Sequence, residues 1–336
     1  MTYPRIEPVN DIPNRPRWSV MVPTYEPSPK HLSEALASVL AQLGEEDTRQ
    51  IEIVDDCSSG FDPHEFVSSS ALETVTVHRN TQRLGLAGNW NSCIQRARGR
   101  WVHLLHQDDF VLPGFYDAIR AGTERTPHAT PHVAAAFTGS FVIDGDTLLP
   151  FEPSIRQRAA GVLTDWEEHV FVRLAIQTPA MVVRRDIYEA LGGFDEDFEY
   201  ALDWDMWKRI AARHPLWCDP RPLACYRAHP RSETARLRRT GQNMIEILRS
   251  IERSETLLPP AVAPRVTRRA RRAYTTFALE NAVSLLASEH SLSGALVQLR
   301  AALRIGSPSG MVFAGLKLAA RACIRPVRRA LRHVAR

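Results

Sequence analysis

Four short apolar runs, each closed by polar residues at its carboxyl end, constrain this chain more than anything else in it. Trp18 to Val22 (WSVMV) stops at Pro23, Thr24, Tyr25 and Glu26, and Ile51 to Val54 stops at Asp55 and Asp56. Thr74 to His78 stops at Arg79 and Asn80, and Trp101 to Leu105 runs into His106, Gln107, Asp108 and Asp109. Runs bounded in this way are the pattern of buried strands. Helical periods lie between them: His31 to Leu43 carries Leu32, Ala35, Leu36, Val39, Leu40 and Leu43, and Ala87 to Ala97 carries Trp90, Ile94 and Ala97 before Gly99. Strands alternating with helices predict an α/β fold with a Rossmann-like, mostly parallel central sheet flanked by helices. The carboxyl ends of such a sheet share one crevice, and ligands bind there.

The tips hold carboxylates and bases. Adjacent acids at a strand end suit Mg²⁺ or Mn²⁺ carrying a phosphorylated ligand, although Asp is also an ordinary turn residue. No phosphate-cradling glycine-rich loop follows the first strand, where PTYEPSP stands instead. The five cysteines are scattered, without paired spacings of a zinc site or a disulfide framework, which predicts a reducing, cytoplasmic setting. No secretory leader and no membrane-spanning run is expected from the hydropathy pattern.

Charge divides the chain. From Arg265 onward 13 Arg and one Lys stand against Glu280 and Glu289, so this tail carries +12 of a chain whose net charge is +4, and the first 264 residues carry −8. The expected organisation is an N-terminal arm over 1–17, an α/β domain over 18–235 and a basic helical region over 236–336. Within the α/β part, Phe115 to Thr123 and Thr164 to Leu174 read as helices, with a strand at His132 to Ile143 and a loop at Phe151 to Arg158 placed to cover a ligand. Thr178 to Val183 reads as a strand, Arg185 to Leu191 as a short helix, and Gly192-Gly193-Phe194-Asp195 as a sharp turn. Tyr200 to Arg213 is an amphipathic helix with two candidate acids. Asp205 has Lys208 and Arg209 at i+3 and i+4, the spacing of a solvated surface pair, while Asp203 shares a face with Trp207 near the apolar stripe, so Asp203 is the better general base. His128 and His132 carry little weight as ligands. Trp204, Trp207 and Trp217 read as core more readily than as a sugar platform.

VPTYEPS, IVDDCSSG, RNTQRLGLAGNWNSCIQRARGRWVHLLHQDD, ALGGFDEDF and ALDWDMWKR, in this order between Trp18 and Ser232, resemble the family 2 glycosyltransferases, a large inverting group with the GT-A fold. The resemblance implies a nucleotide-diphosphate sugar donor (UDP-, dTDP- or GDP-linked) and a Mg²⁺ or Mn²⁺ ion. It implies that Pro23, Thr24, Tyr25, Glu26 and Asp55 line the nucleoside, that Arg79, Asn80 and Arg83 reach the diphosphate, and that Gln107 and Asp108 meet the donor. Asp108, assisted by Asp109, would hold the metal, and Asp203 would deprotonate the acceptor hydroxyl. The segment after the strand at Pro222 to Tyr226 resembles the family's Tyr-Arg-x-His, which makes His229 a third metal ligand or a diphosphate contact. One departure stands out: the family's metal motif begins with an Asp, expected near the ribose, where this chain has His106.

The function implied is sugar transfer to a hydroxyl of a glycan or lipid-linked acceptor in cell-surface polysaccharide synthesis. A non-catalytic nucleotide- or glycan-binding protein on the same fold is the alternative. From Met311 to Arg336 apolar residues alternate with Arg and Lys, as in a helix lying on an anionic membrane at the inner face. Packing of that tail on the catalytic domain is the competing expectation. Nucleic acid is not expected as a partner, because the apolar face is substantial.

Overall fold

The computed structural model describes residues 3–9, 13–44, 49–70, 72–124, 133–144, 147–151, 157–229, 232–306 and 311. The amphipathic segment after Met311, His128 and His132, and residues 152–156 of the expected covering loop lie outside the described residues. The chain divides into two compact units, one holding residues 1–170 and 174–229 and the other holding 171–173 and 230–336.

In chain order the first unit runs β1 (Trp18–Thr24), α1 (Pro29–Leu40), β2 (Arg49–Asp55), α2 (Pro63–Ser69), β3 (Val75–Arg79), α3 (Gly85–Arg96), β4 (Trp101–Leu104), β5 (Phe110–Val111) and α4 (Phe115–Glu124). It continues with β6 (Ala135–Asp144), β7 (Thr147–Phe151), β8 (Gly161–Val162), α5 (Trp166–Phe171), a single tight turn of helix at Thr178–Ala180, β9 (Met181–Arg184), α6 (Arg185–Leu191), α7 (Leu202–Ala211) and β10 (Leu216–Ala228). The sheet order is β3-β2-β1-β4-β9-β6-β10-β5, with β7 beside β6 and β8 beside β10. The expected parallel order holds across β3-β2-β1-β4, where Thr24 pairs with Asp55 and Asp55 with Arg79, so these tips end level with one another. Beyond β4 the sheet is mixed: β9 runs antiparallel to both β4 and β6, whereas β6 and β10 are parallel.

Burial explains the N-terminal half. Every residue of β1 is buried, and Leu32, Ala35, Leu36 and Val39 of α1 pack one helical stripe against it. At Gly122 of α4 a Cβ would lie 2.2 Å from the Trp217 ring, so the close approach of α4 to β10 requires glycine there. Residues 3–9 do not hang free as an arm. Ile6 is buried, Pro4 carbonyl accepts the Gly193 N–H at 2.7 Å, and Arg185 donates to Glu7 carbonyl at 3.0 Å.

The second unit contains α8 (Glu233–Thr240), α9 (Gln242–Leu257), α10 (Ala263–Glu289) and α11 (Leu292–Ile305). Gln298 knits it together from inside, donating to Arg238 carbonyl at 2.7 Å and to Asn243 Oδ1 at 2.8 Å. No helix among the described residues is long and apolar enough to cross a membrane.

Candidate active site

The loops after β1 and β2 are built by carboxylates. Asp55 is fully buried; its Oδ1 accepts from Ser58 Oγ at 2.6 Å and Thr24 Oγ1 at 3.1 Å, and its Oδ2 accepts Ser58 N–H at 2.9 Å, with Arg79 Nε at 3.5 Å. Four partners and no exposed surface make it the anchor of the loop rather than a group that itself meets solvent. Glu26, at a φ of 44°, accepts Ser59 N–H at 2.7 Å and Gly60 N–H at 3.1 Å. The Ser59 and Gly60 hydrogen bonds hold its carboxyl below the usual range. Sequence reasoning missed the next of these: Asp56 accepts Leu84 N–H at 2.7 Å, Gly85 N–H at 2.9 Å and Asn80 Nδ2 at 3.1 Å, sealing the start of α3. Asn80 is thereby buried and bonded to Asp56 and Asn89, and Arg79 donates to Ser58 carbonyl.

What remains open in this half is the Tyr25 ring, 39% exposed, with the Arg83 guanidinium 4.0 Å above its centroid. Gln107 fixes that tyrosine from the β4 side, accepting Tyr25 N–H at 2.8 Å and donating to Tyr25 carbonyl at 3.2 Å. The tips of β1 and β4 are therefore tied by a side-chain amide that copies a ladder pair. Pro23 and Thr24 are buried at the end of β1.

After β4 the two aspartates diverge. Asp109 is fully buried; Oδ1 accepts Arg227 N–H at 2.8 Å, and Oδ2 lies 3.2 Å from His106 Nδ1, off the line of a good hydrogen bond. Burial pushes its carboxyl up to about 6, against the pull of His106. Asp108 is partly exposed, and its Oδ2 lies 3.0 Å from His229 Nε2. Burial works to raise Asp108, but the His229 hydrogen bond and the His106 charge outweigh it and hold it below the usual range, while the same contact raises His229. A carboxylate and an imidazole nitrogen about 3 Å apart match neighbouring positions around a divalent cation. The described residues contain no cluster of three or more such donors. Asp109 is bonded to the β10 backbone through Oδ1 alone, and its buried Oδ2 has no hydrogen-bond partner among the described residues.

His106 lies against Trp90, with ring centroids 4.8 Å apart and the planes tilted by 33°. Burial works against its charge, but Asp109, Asp108 and Asp203 together raise its pKa. Asp203 thus lies within electrostatic reach of the β4 tip. It is 8% exposed at the first turn of α7, with Oδ1 accepting Trp204 N–H at 2.6 Å and Oδ2 accepting Thr178 Oγ1 at 3.3 Å. Burial lifts its carboxyl to about 6, opposed by the Trp204 N–H and by His106.

Asp205 corrects the sequence expectation. It is 1% exposed and pairs with Arg209 at 2.9 Å, and Arg209 in turn donates to Leu191 carbonyl at 2.9 Å and Gly193 carbonyl at 2.7 Å. The pair is a buried clamp on the turn at Gly192, whose φ of 78° is one that glycine adopts freely. Asn91 grips the same turn, accepting Phe194 N–H at 2.7 Å and donating to its carbonyl at 3.0 Å.

Residues 19–175 match the family described as Glycosyl transferase family 2. The succinoglycan biosynthesis protein ExoO of Rhizobium meliloti (strain 1021) is 31% identical over 153 residues, 45% of this chain and 40% of that protein, so the chain spans less than half of that relative's length. Among solved structures, S. aureus TarS 1-349 in complex with UDP-GlcNAc superposes with a TM-score of 0.63 at 16% identity, covering 88% of this chain and 82% of that one. The mannosyltransferase PcManGT from Pyrobaculum calidifontis, in complex with GDP-Man and Mn²⁺, superposes with a TM-score of 0.58 at 21% identity, covering 94% and 83%. Residues 19–175 are thus similar to the family 2 glycosyltransferases, and the shared architecture shows the GT-A fold.

Proposed function

We propose that the chain is an inverting glycosyltransferase that moves a sugar from a nucleoside-diphosphate donor to a hydroxyl of a glycan or lipid-linked acceptor, in the assembly of a cell-surface polysaccharide. The observation that carries this reading is Asp203, a buried carboxyl lifted to about 6 by burial and in electrostatic contact with His106 after β4. A base tuned near the working pH combines the right protonation state with a useful driving force. The family match, the donors named in the solved relatives and the name of the succinoglycan relative support the rest.

Tyr25 and Arg83 offer a flat cationic face to the nucleoside base, held in place by Gln107. Thr24, Glu26 and Asp55 act by fixing the loops around it, as do Arg79 and Asn80, and Pro23 is buried at the end of β1. Asp108 and His229 are the residues that would hold Mg²⁺ or Mn²⁺, which when bound neutralises charge on the departing diphosphate. Asp109 keeps Arg227 and His106 in register behind them.

In the transfer itself, the acceptor hydroxyl gives its proton to Asp203, at the more loosely held Oδ2, as its oxygen bonds to the anomeric carbon from the face opposite the donor oxygen. The bond from that carbon to the diphosphate breaks, the electron pair leaves with the nucleoside diphosphate, and the configuration inverts. Asp203→Asn tests the assignment: kcat should fall by about 10²–10⁴-fold while donor binding is retained. A variant with near-native turnover removes Asp203 from the role of base.

A further inference from the structure

The second unit turns an apolar stripe outward. On α11 the side chains of Leu292, Leu296 and Leu303 are 64%, 45% and 65% exposed, and their spacing of four and seven puts them on one face. On α10, Val283 and Leu286 are 57% and 43% exposed. The opposite faces of the two helices meet through Ala282, Leu285 and Ala295, with Leu299 packed against them, so the hairpin has a closed inner seam and an open outer one. Arg268, Arg272, Arg300 and Arg304 are also exposed on these two helices.

We infer that this outer face of the α10–α11 hairpin docks on an anionic lipid surface. Exposed leucines flanked by arginines match a surface that inserts apolar side chains between headgroups and pairs its cations with lipid phosphates. Charge selects the occupant. No Asp or Glu follows Glu289 anywhere in the sequence, and Glu289 itself pairs with Arg238 and Arg239. A second copy of the chain seated on this face would oppose arginine with arginine, whereas an anionic bilayer would be complementary. The sequence beyond the hairpin has the same character, with Leu316, Ile324, Val327 and Leu331 set among Lys317, Arg325, Arg328 and Arg332.

The test uses the full chain, sedimented with vesicles of phosphatidylcholine containing phosphatidylglycerol and with vesicles of phosphatidylcholine alone. The wild type should bind the anionic vesicles, with affinity falling as salt rises. Leu292→Ser/Leu303→Ser and Arg300→Glu/Arg304→Glu should each weaken binding by about tenfold or more, with circular dichroism unchanged because all four residues are exposed. Failure of the wild type to bind would overturn the inference. So would a leucine pair that binds like wild type, or a wild-type dimer that the leucine pair dissolves without any vesicle binding, which would assign the face to a second copy. None of these readouts depends on sugar transfer, so their failure leaves the Asp203 assignment untouched.

Discussion

A carboxyl held near 6 inside a protein is costly at neutral pH, and Asp203→Asn is expected to raise stability while silencing the enzyme. The folded-state value of about 6 lies above the ordinary 3.8, so Asp203 favours the fold while protonated and loses that contribution as the pH climbs through about 6. The difference of about 2 units is worth about 3 kcal/mol once both states are ionised above pH 7, and about half of that at pH 5. Asn cannot ionise, and its geometry suits the site. Its oxygen can accept the Trp204 N–H that Oδ1 now accepts, and its amide can donate to the Thr178 hydroxyl after that hydroxyl turns. Urea unfolding of wild type and variant, followed by tryptophan emission at pH 5 and pH 8, measures the effect. All seven tryptophans lie between Trp18 and Trp217, so the signal reports the sheet unit. The advantage of the variant should grow by about 1.5 kcal/mol between the two pH values. A variant equally stable at both, or less stable at pH 8, would refute the claim that burial sets this carboxyl.

The same carboxyl should shape the rate. With Asp203 as base, the pH profile of kcat should fall on the acid side with an apparent value near 6, and a limb near 4 would argue for a different, solvated base. Asp56→Ala removes the acceptor for two backbone N–H groups and the Asn80 amide, so the thermal midpoint should drop by the equivalent of at least about 2 kcal/mol. An unchanged midpoint would mean that water replaces the cap without cost. Gln107→Ala breaks both bonds to the Tyr25 backbone on the open side of the site, and should weaken donor binding by about tenfold with little change in melting. Loss of stability with binding intact would invert that assignment.

The repeat of strand and helix was legible because its period is local: β1 to β4 with α1 and α3 follow from apolar spacing alone, whereas the seven-residue α2 is too short to show a period and went unread. The antiparallel entry of β9 was not, since a run such as MVVR has the same appearance in either direction. Nor was the two-residue β5, which gains its place only by pairing Phe110 and Val111 with Cys225 and Ala224. The helix expected over Thr164 to Leu174 shrinks to Trp166–Phe171 because the chain leaves helical geometry at both ends. At the site, sequence shows which tips hold acids but not which oxygens are already occupied. Asp55 and Asp56 read alike, yet one anchors the β2 loop and the other seals α3. Asp108 and Asp109 read as one metal pair, yet only Asp108 presents an open edge beside His229. The i+4 spacing of Asp205 and Arg209 gave the ion pair correctly but not its burial, which depends on the turn at Leu191 to Gly193 folding over the guanidinium. A fully buried arginine such as Arg185, bonded to Ala97 carbonyl and Glu189, leaves no signature in the sequence at all.

Calorimetric titration with UDP, GDP and dTDP, with and without Mn²⁺, on wild type, Asp108→Ala and His229→Ala, tests the central claim most directly. Tight binding of one nucleotide that requires the cation and is lost in Asp108→Ala and weakened in His229→Ala is the expected result. Binding of none of the three, or binding indifferent both to Mn²⁺ and to Asp108, would contradict a donor site at the β4 tip.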